Sequence, residues 1–165
     1  MTERHNNAAY FGVFTALALI LSYVESLIPI QFGVPGIKLG LANLIIVIVL
    51  YKKSWREALL LSVVRIVLSG FLFGNLFSII YSLSGGILSL LVMCFMIKTG
   101  RFGTAGVSIA GGVCHNIGQL AVAMVVVETY QVGYYLPVLL ISGLVTGALI
   151  GITANEVMKR TKSIW

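Results

Sequence analysis

Six stretches of this sequence are apolar over lengths that suit membrane-crossing helices, and that feature limits the chain to few folds. They cover about residues 8–30, 35–51, 57–73, 76–97, 104–127 and 136–158, and charges, glycines and prolines mark them off. Roughly 20 helical residues, within about 17–25, carry a chain across the hydrocarbon core of a bilayer. The second stretch reaches that length only if its helix begins near Pro35, since proline suits the first helical position. Lys38 and Lys52 would then snorkel toward opposite interfaces. Composition excludes the soluble alternatives: 59% of the 165 residues are hydrophobic, 10% are charged, and there is no aspartate. Mean hydropathy is +1.04. Soluble domains run at about a quarter charged, and disordered or nucleic-acid-binding chains need more polar surface still. The first stretch exceeds the apolar core of about 7–15 residues in a cleavable signal and has no small-x-small site before Glu25, so it reads as a span. Neither end carries a lipidation motif. The expected fold is an all-α integral membrane protein, with residues 1–165 forming one compact domain of six transmembrane helices.

The net charge of +6 carries orientation rather than affinity for nucleic acid. With six spans, Arg4, Lys52, Lys53, Arg56, Lys98, Arg101, Lys159, Arg160 and Lys162 all fall on one side. Lys38 alone lies on the other, and Arg65 sits within the third span. Basic residues concentrate on the cytoplasmic side of membrane proteins, so both termini are expected in the cytoplasm and the chain in the cell membrane. Cys94 and Cys114 lie inside apolar runs and are expected as buried thiols, with no disulfide framework.

Polar groups inside the spans are the candidates for function. Arg65 lies near the expected bilayer midplane, where an arginine is costly unless it faces protein or water and has a partner. It is either half of a structural ion pair, with Glu25 the best partner, or an anion-binding residue. Ser62 and Ser69 share its helical face. In the fifth span Ser108, Gly112, His115 and Gln119 fall on one face, with Asn116 beside it. These groups suit either hydrogen bonds between helices or contact with a ligand. A single histidine without further ligands gives no case for a metal. Ser78, Ser82, Gly85 and Ser89 repeat the pattern in the fourth span, and Asn43 adds an amide in the second. The outer segment from Gln31 to Gly40 has the composition of a turned lid, with Lys38 either attracting an anion or marking the interface. Small residues recur every fourth position at Ala8, Gly12 and Ala16, and again at Gly143, Gly147 and Gly151. Such faces allow close helix contact, either within the bundle or with a separate membrane subunit.

Several stretches resemble a known family. They are Glu25-Ser-Leu-Ile-Pro-Ile30, Val34-Pro-Gly-Ile-Lys-Leu-Gly-Leu-Ala-Asn43, Arg65 through Gly74, Ser82-Leu-Ser-Gly-Gly86, and Gly106 through Gln119 with its His-Asn-Ile-Gly-Gln ending. The family is heptaprenyl diphosphate synthase component I, also called the Gx transporter family. It is similar in size and topology to the substrate-capture (S) components of energy-coupling-factor transporters. That resemblance implies a six-helix protein that binds a vitamin-like solute near the outer face, beneath a lid between its first two helices. It also implies a docking face of the Ala-x-x-x-Ala kind on the first helix, matched here by Ala8, Gly12 and Ala16, for a transmembrane coupling subunit driven by cytoplasmic ATPases.

The family's other name implies a different role, and composition bears on it. Chain-elongating prenyl synthases hold Mg²⁺ and diphosphate through Asp-rich motifs, because hard cations need oxygen ligands. A chain without aspartate has no such site of its own, which leaves an accessory membrane subunit paired with a soluble synthase. No phosphate-binding loop for ATP is present either. No catalytic residue, metal or cofactor is therefore expected. The expected substrate-binding residues are Glu25, Lys38, Asn43, Arg65, Ser82, His115, Asn116 and Gln119, in a pocket lined by the first, third, fourth and fifth spans. A stand-alone facilitator is a third reading.

Overall fold

The computed structural model describes residues 2–28, 39–128 and 130–161, with side chains of the first stretch described from Ala8 onward. Among these residues the structure is entirely helical. It consists of α1 (Thr2–Leu27), α2 (Leu41–Lys52), α3 (Trp55–Phe73), α4 (Leu76–Thr99), α5 (Thr104–Val126) and α6 (Leu136–Arg160), with a 3-10 helix at Tyr130–Tyr135 before α6. Stretches long and apolar enough to cross a membrane are Ala8–Leu27, Leu76–Thr99, Thr104–Val126 and Tyr130–Arg160. The 19 residues of α3 include Arg56, Glu57 and Arg65, a heavier charge load than the other long helices carry in their apolar stretches.

Local chemistry sets the breaks. Ser54 ends the α2–α3 connection by accepting the Glu57 N–H at 3.2 Å, which satisfies a donor left free at a helix start. Asn75 and Ser78 form a reciprocal capping box at the start of α4, so the α3–α4 hairpin turns within two residues. At the other end of α4, Gly100 takes a left-handed φ of 65°, the backbone that glycine adopts without penalty.

The second helix departs from expectation. Gly40 has a φ of 71° and stands as the cap before Leu41, so no helix runs through it from Pro35. At about 1.5 Å per residue, the 12 residues of α2 span about 18 Å, short of a hydrocarbon core of about 30 Å. Lys38 and the rest of residues 29–38 lie outside the described residues. What α2 does instead is fill the centre. Ala42, Ile45, Ile46, Val47, Ile48, Val49 and Leu50 are all buried, the pattern of a helix surrounded on every side.

The core has a position along the bundle axis. The later turns of α2 pack with Ala58 and Leu61 from the start of α3, Leu90 and Met93 from the end of α4, Val107 from the start of α5, and Ala154 and Met158 from the end of α6. This is the end that carries Lys52, Lys53, Lys98 and Arg160. The basic half of the molecule is therefore the densely apolar half.

The two small-residue faces part company. On α6, a Cβ added at Gly147 would lie 2.7 Å from the Ile109 Cα, and one at Gly151 would lie 2.6 Å from the Ala105 Cα. At Gly143 it would lie 2.9 Å from the Gly112 carbonyl oxygen. Those glycines hold α6 backbone-to-backbone on α5, as glycine stripes do in membrane bundles. On α1, Ala8, Gly12 and Ala16 are exposed, and a Cβ at Gly12 would meet nothing within 4 Å.

Candidate functional site

Away from the basic end the helices enclose polar groups. Glu25 comes from the last turns of α1, Asn43 from the first turn of α2, Arg65 from the middle of α3 and Ser82 from α4. His115, Asn116 and Gln119 come from α5. All seven line one cavity of about 60 Å³. A second cavity of about 230 Å³ shares Glu25, Arg65 and Ser82 with the first and extends past the hydroxyls of Ser22, Ser26, Ser69 and Ser78. Seven of the eight expected binding residues therefore converge, and the eighth, Lys38, lies outside the described residues. The cavity walls differ from the expected set of helices: Val47 of α2 and Thr146, Gly147 and Ile150 of α6 also contribute.

The polar faces of α4 and α5 meet there because glycines let the backbones approach. A Cβ at Gly85 would lie 2.7 Å from the His115 carbonyl oxygen, and one at Gly118 would lie 2.9 Å from the Ser84 carbonyl oxygen. The Ser84 hydroxyl donates to the Gly118 carbonyl at 3.0 Å across the same seam. Asn116 Nδ2 donates to the Leu139 carbonyl at 2.7 Å, which ties α5 to the first turn of α6. Asn116 is thus a tether as well as a lining residue.

Of the two readings of Arg65, the ion pair with Glu25 does not form among the described residues. The Arg65 guanidinium donates from Nη2 to Asn43 Oδ1 at 2.6 Å. The Glu25 carboxylate accepts the Gly40 backbone N–H at 2.6 Å, so a negative charge sits at the start of α2, where a helix favours one. Both residues border the same two cavities, and their charges act on each other through space. An oxygen acceptor on α2 thus occupies one donor of the arginine, while Glu25 closes the gap between α1 and α2.

Two donors remain. Arg65 Nε and Gln119 Nε2 are buried and have no hydrogen-bond partner among the described residues, and Gln119 as a whole is 1% exposed. A buried, unpaired polar group costs about 1–3 kcal/mol, a cost that a bound acceptor would offset. Both groups border the smaller cavity, whose volume accommodates a compact polar group. Chemically the site offers a guanidinium, an amide and several hydroxyls to a ligand rich in oxygen acceptors. No group of three or more His, Cys, Asp or Glu side chains suited to a metal occurs among the described residues. Sequence reasoning missed Ser22, Ser26 and Thr146. Glu25 and Ser26 follow Ser22 at i+3 and i+4, a spacing that puts the three on one helical face.

These features define a class, a helical membrane protein with a polar cavity held among apolar helices. The model of the family described as heptaprenyl diphosphate synthase component I matches residues 14–157, and the chain belongs to that family. No curated protein and no solved structure matches the chain.

Proposed function

We propose that this protein is the substrate-binding component of an energy-coupling-factor type importer. In this reading both termini lie on the cytoplasmic side of the cell membrane, with the basic half inward and the polar cavities toward the outer face. The observation that carries the reading is the convergence of Arg65, Gln119, Asn43, His115 and Ser82 on one cavity with two buried donors left unpaired. The solute is small and rich in oxygen acceptors, such as a carboxylate or phosphate. Arg65 takes its charge and Gln119 a second acceptor, and Lys38 draws it in from the outer side. The Glu25–Gly40 bond, 2.6 Å long, ties the last turns of α1 to the start of α2 at the edge of the smaller cavity.

Energy comes from partners. The exposed Ala8, Gly12 and Ala16 face on α1 docks a transmembrane coupling subunit, which is joined to cytoplasmic ATPases. The bundle then moves as a unit against that subunit to release the solute inward. The test is affinity isolation of the tagged protein from its native membrane. The reading requires a second multi-span subunit together with nucleotide-binding ATPases, and their replacement by a soluble Asp-rich synthase would refute it. That second outcome belongs to the reading favoured by the family's printed description, a non-catalytic membrane subunit of heptaprenyl diphosphate synthase. In it, Mg²⁺ and diphosphate are held by the soluble partner, and this chain supplies the membrane surface.

A further inference from the structure

The α3–α4 hairpin closes tightly at one end and parts at the other. A Cβ on Gly70 of α3 would overlap the Ile79 side chain of α4, and one on Gly86 would lie 3.1 Å from the Ile66 Cδ1. Toward the basic end a recess of about 620 Å³ separates the two helices. Leu59 lines it on the α3 side, Ile87, Leu91 and Cys94 line it on the α4 side, and Leu50 of α2 borders it. Ile87 and Leu91 are exposed, so this apolar wall faces outward from the bundle.

The mouth of the recess is basic and aromatic. Lys53 from the α2–α3 connection and Lys98 from the last turn of α4 border it, together with Ser54 and Trp55. The Arg56 guanidinium lies 5.5 Å from the Trp55 ring, which adds a third cation beside the mouth. Among the described residues no acidic one lines the recess. Tryptophan at this level marks the headgroup region of a bilayer, and basic pockets between helices at a membrane face suit lipid headgroups.

The geometry points to a binding site for one anionic glycerophospholipid, with its phosphate between Lys53 and Lys98 and an acyl chain laid into the recess against Leu59 and Leu91. Charge complementarity selects an anionic head over a zwitterionic one, and the length of apolar wall selects a lipid over a free phosphate. The site is separate from the polar cavities, with which it shares no residue. Bound there, the lipid would bridge the α2–α3 connection and the end of α4, both of which border the recess.

Trp55 supplies the readout. The chain has two tryptophans, and Trp165→Phe leaves Trp55 as the single emitter. The full-length protein in phosphatidylcholine nanodiscs is titrated with phosphatidylglycerol bearing brominated acyl chains, and in parallel with brominated phosphatidylcholine. Half-maximal quenching is expected at a mole fraction at least fivefold lower for the anionic lipid, given about 1 kcal/mol, roughly fivefold, for each lysine at a membrane surface. In Lys53→Gln/Lys98→Gln, whose changes are on exposed side chains and leave helicity intact, the two curves are expected to converge. Coincident curves in the parent protein would make the recess ordinary lipid boundary and overturn the proposal. So would a preference that survives in the double variant, or an absence of quenching by either lipid, which would mean that a protein segment fills the recess.

Discussion

The basic half of the bundle and the opposite half spend the same helices on different ends. In the basic half, α2 is apolar on every side, and Leu61, Val107, Ala154 and Met158 close around it. In the other half, the same α3, α4 and α5 turn Arg65, Ser82, His115 and Gln119 toward cavities. Lipid is as apolar as the basic core, so that core is held by contact and shape rather than by expulsion of water. The cavity half gives up contact for unpaired donors. The comparison separates the residues that make the bundle from those that the bundle exists to hold.

The contrast breaks most visibly at the glycine seams. Gly147→Leu places a side chain where the Ile109 Cα and the Ser108 carbonyl already stand, 2.7 and 2.8 Å from a Cβ, so α5 and α6 must separate. The expected result is loss of the monodisperse folded protein in size-exclusion chromatography. Leu61→Ala, at a fully buried core position, is expected to cost about 2 kcal/mol, the packing part of a large-to-small change. Reversible unfolding of the detergent-solubilised protein measures it.

In the cavity half the order of effects reverses. Gln119→Leu removes a buried amide whose Nε2 has no partner among the described residues, so stability is expected to stay level or rise by about 1 kcal/mol while solute retention falls at least tenfold. Equal loss of folding and binding would make Gln119 structural. Gly12→Leu is the mildest for the isolated chain. Because nothing lies within 4 Å of a Cβ there, its melting temperature is expected to match the parent within about 1–2 °C, an effect below about 0.5 kcal/mol. Partner subunits should nonetheless be lost from affinity isolations, and retention of those partners would remove α1 as the docking face.

Much of this arrangement was legible in the sequence. Charge and turn residues marked helix ends: α4 begins at Leu76 and α6 at Leu136, where the apolar runs begin. The spacing of Ser108, Gly112, His115 and Gln119 put one polar face on α5, and that face lines the cavity. The partner of Arg65 was not legible. Charge alone favoured Glu25, yet α2 starts with Gly40 in a left-handed turn, which brings Asn43 to the guanidinium and the Gly40 N–H to Glu25. The start of α2 at Leu41 instead of near Pro35 has the same origin, because Gly40 turns left-handed just before it. Identical spacing also failed to separate the two small-residue faces. Which one is buried depends on tertiary neighbours: among the described residues the α6 stripe meets a facing stripe of small residues on α5, while a Cβ at Gly12 on α1 would meet nothing within 4 Å.

The central claim is that the polar cavity holds a solute through Arg65, and native mass spectrometry of the gently extracted protein tests it most directly. The parent protein is expected to release one small acidic molecule on activation, and Arg65→Gln, equally folded by its unfolding curve, is expected to carry none. A parent protein that carries no solute, or an Arg65→Gln protein that retains the same molecule at the same occupancy, would contradict the account.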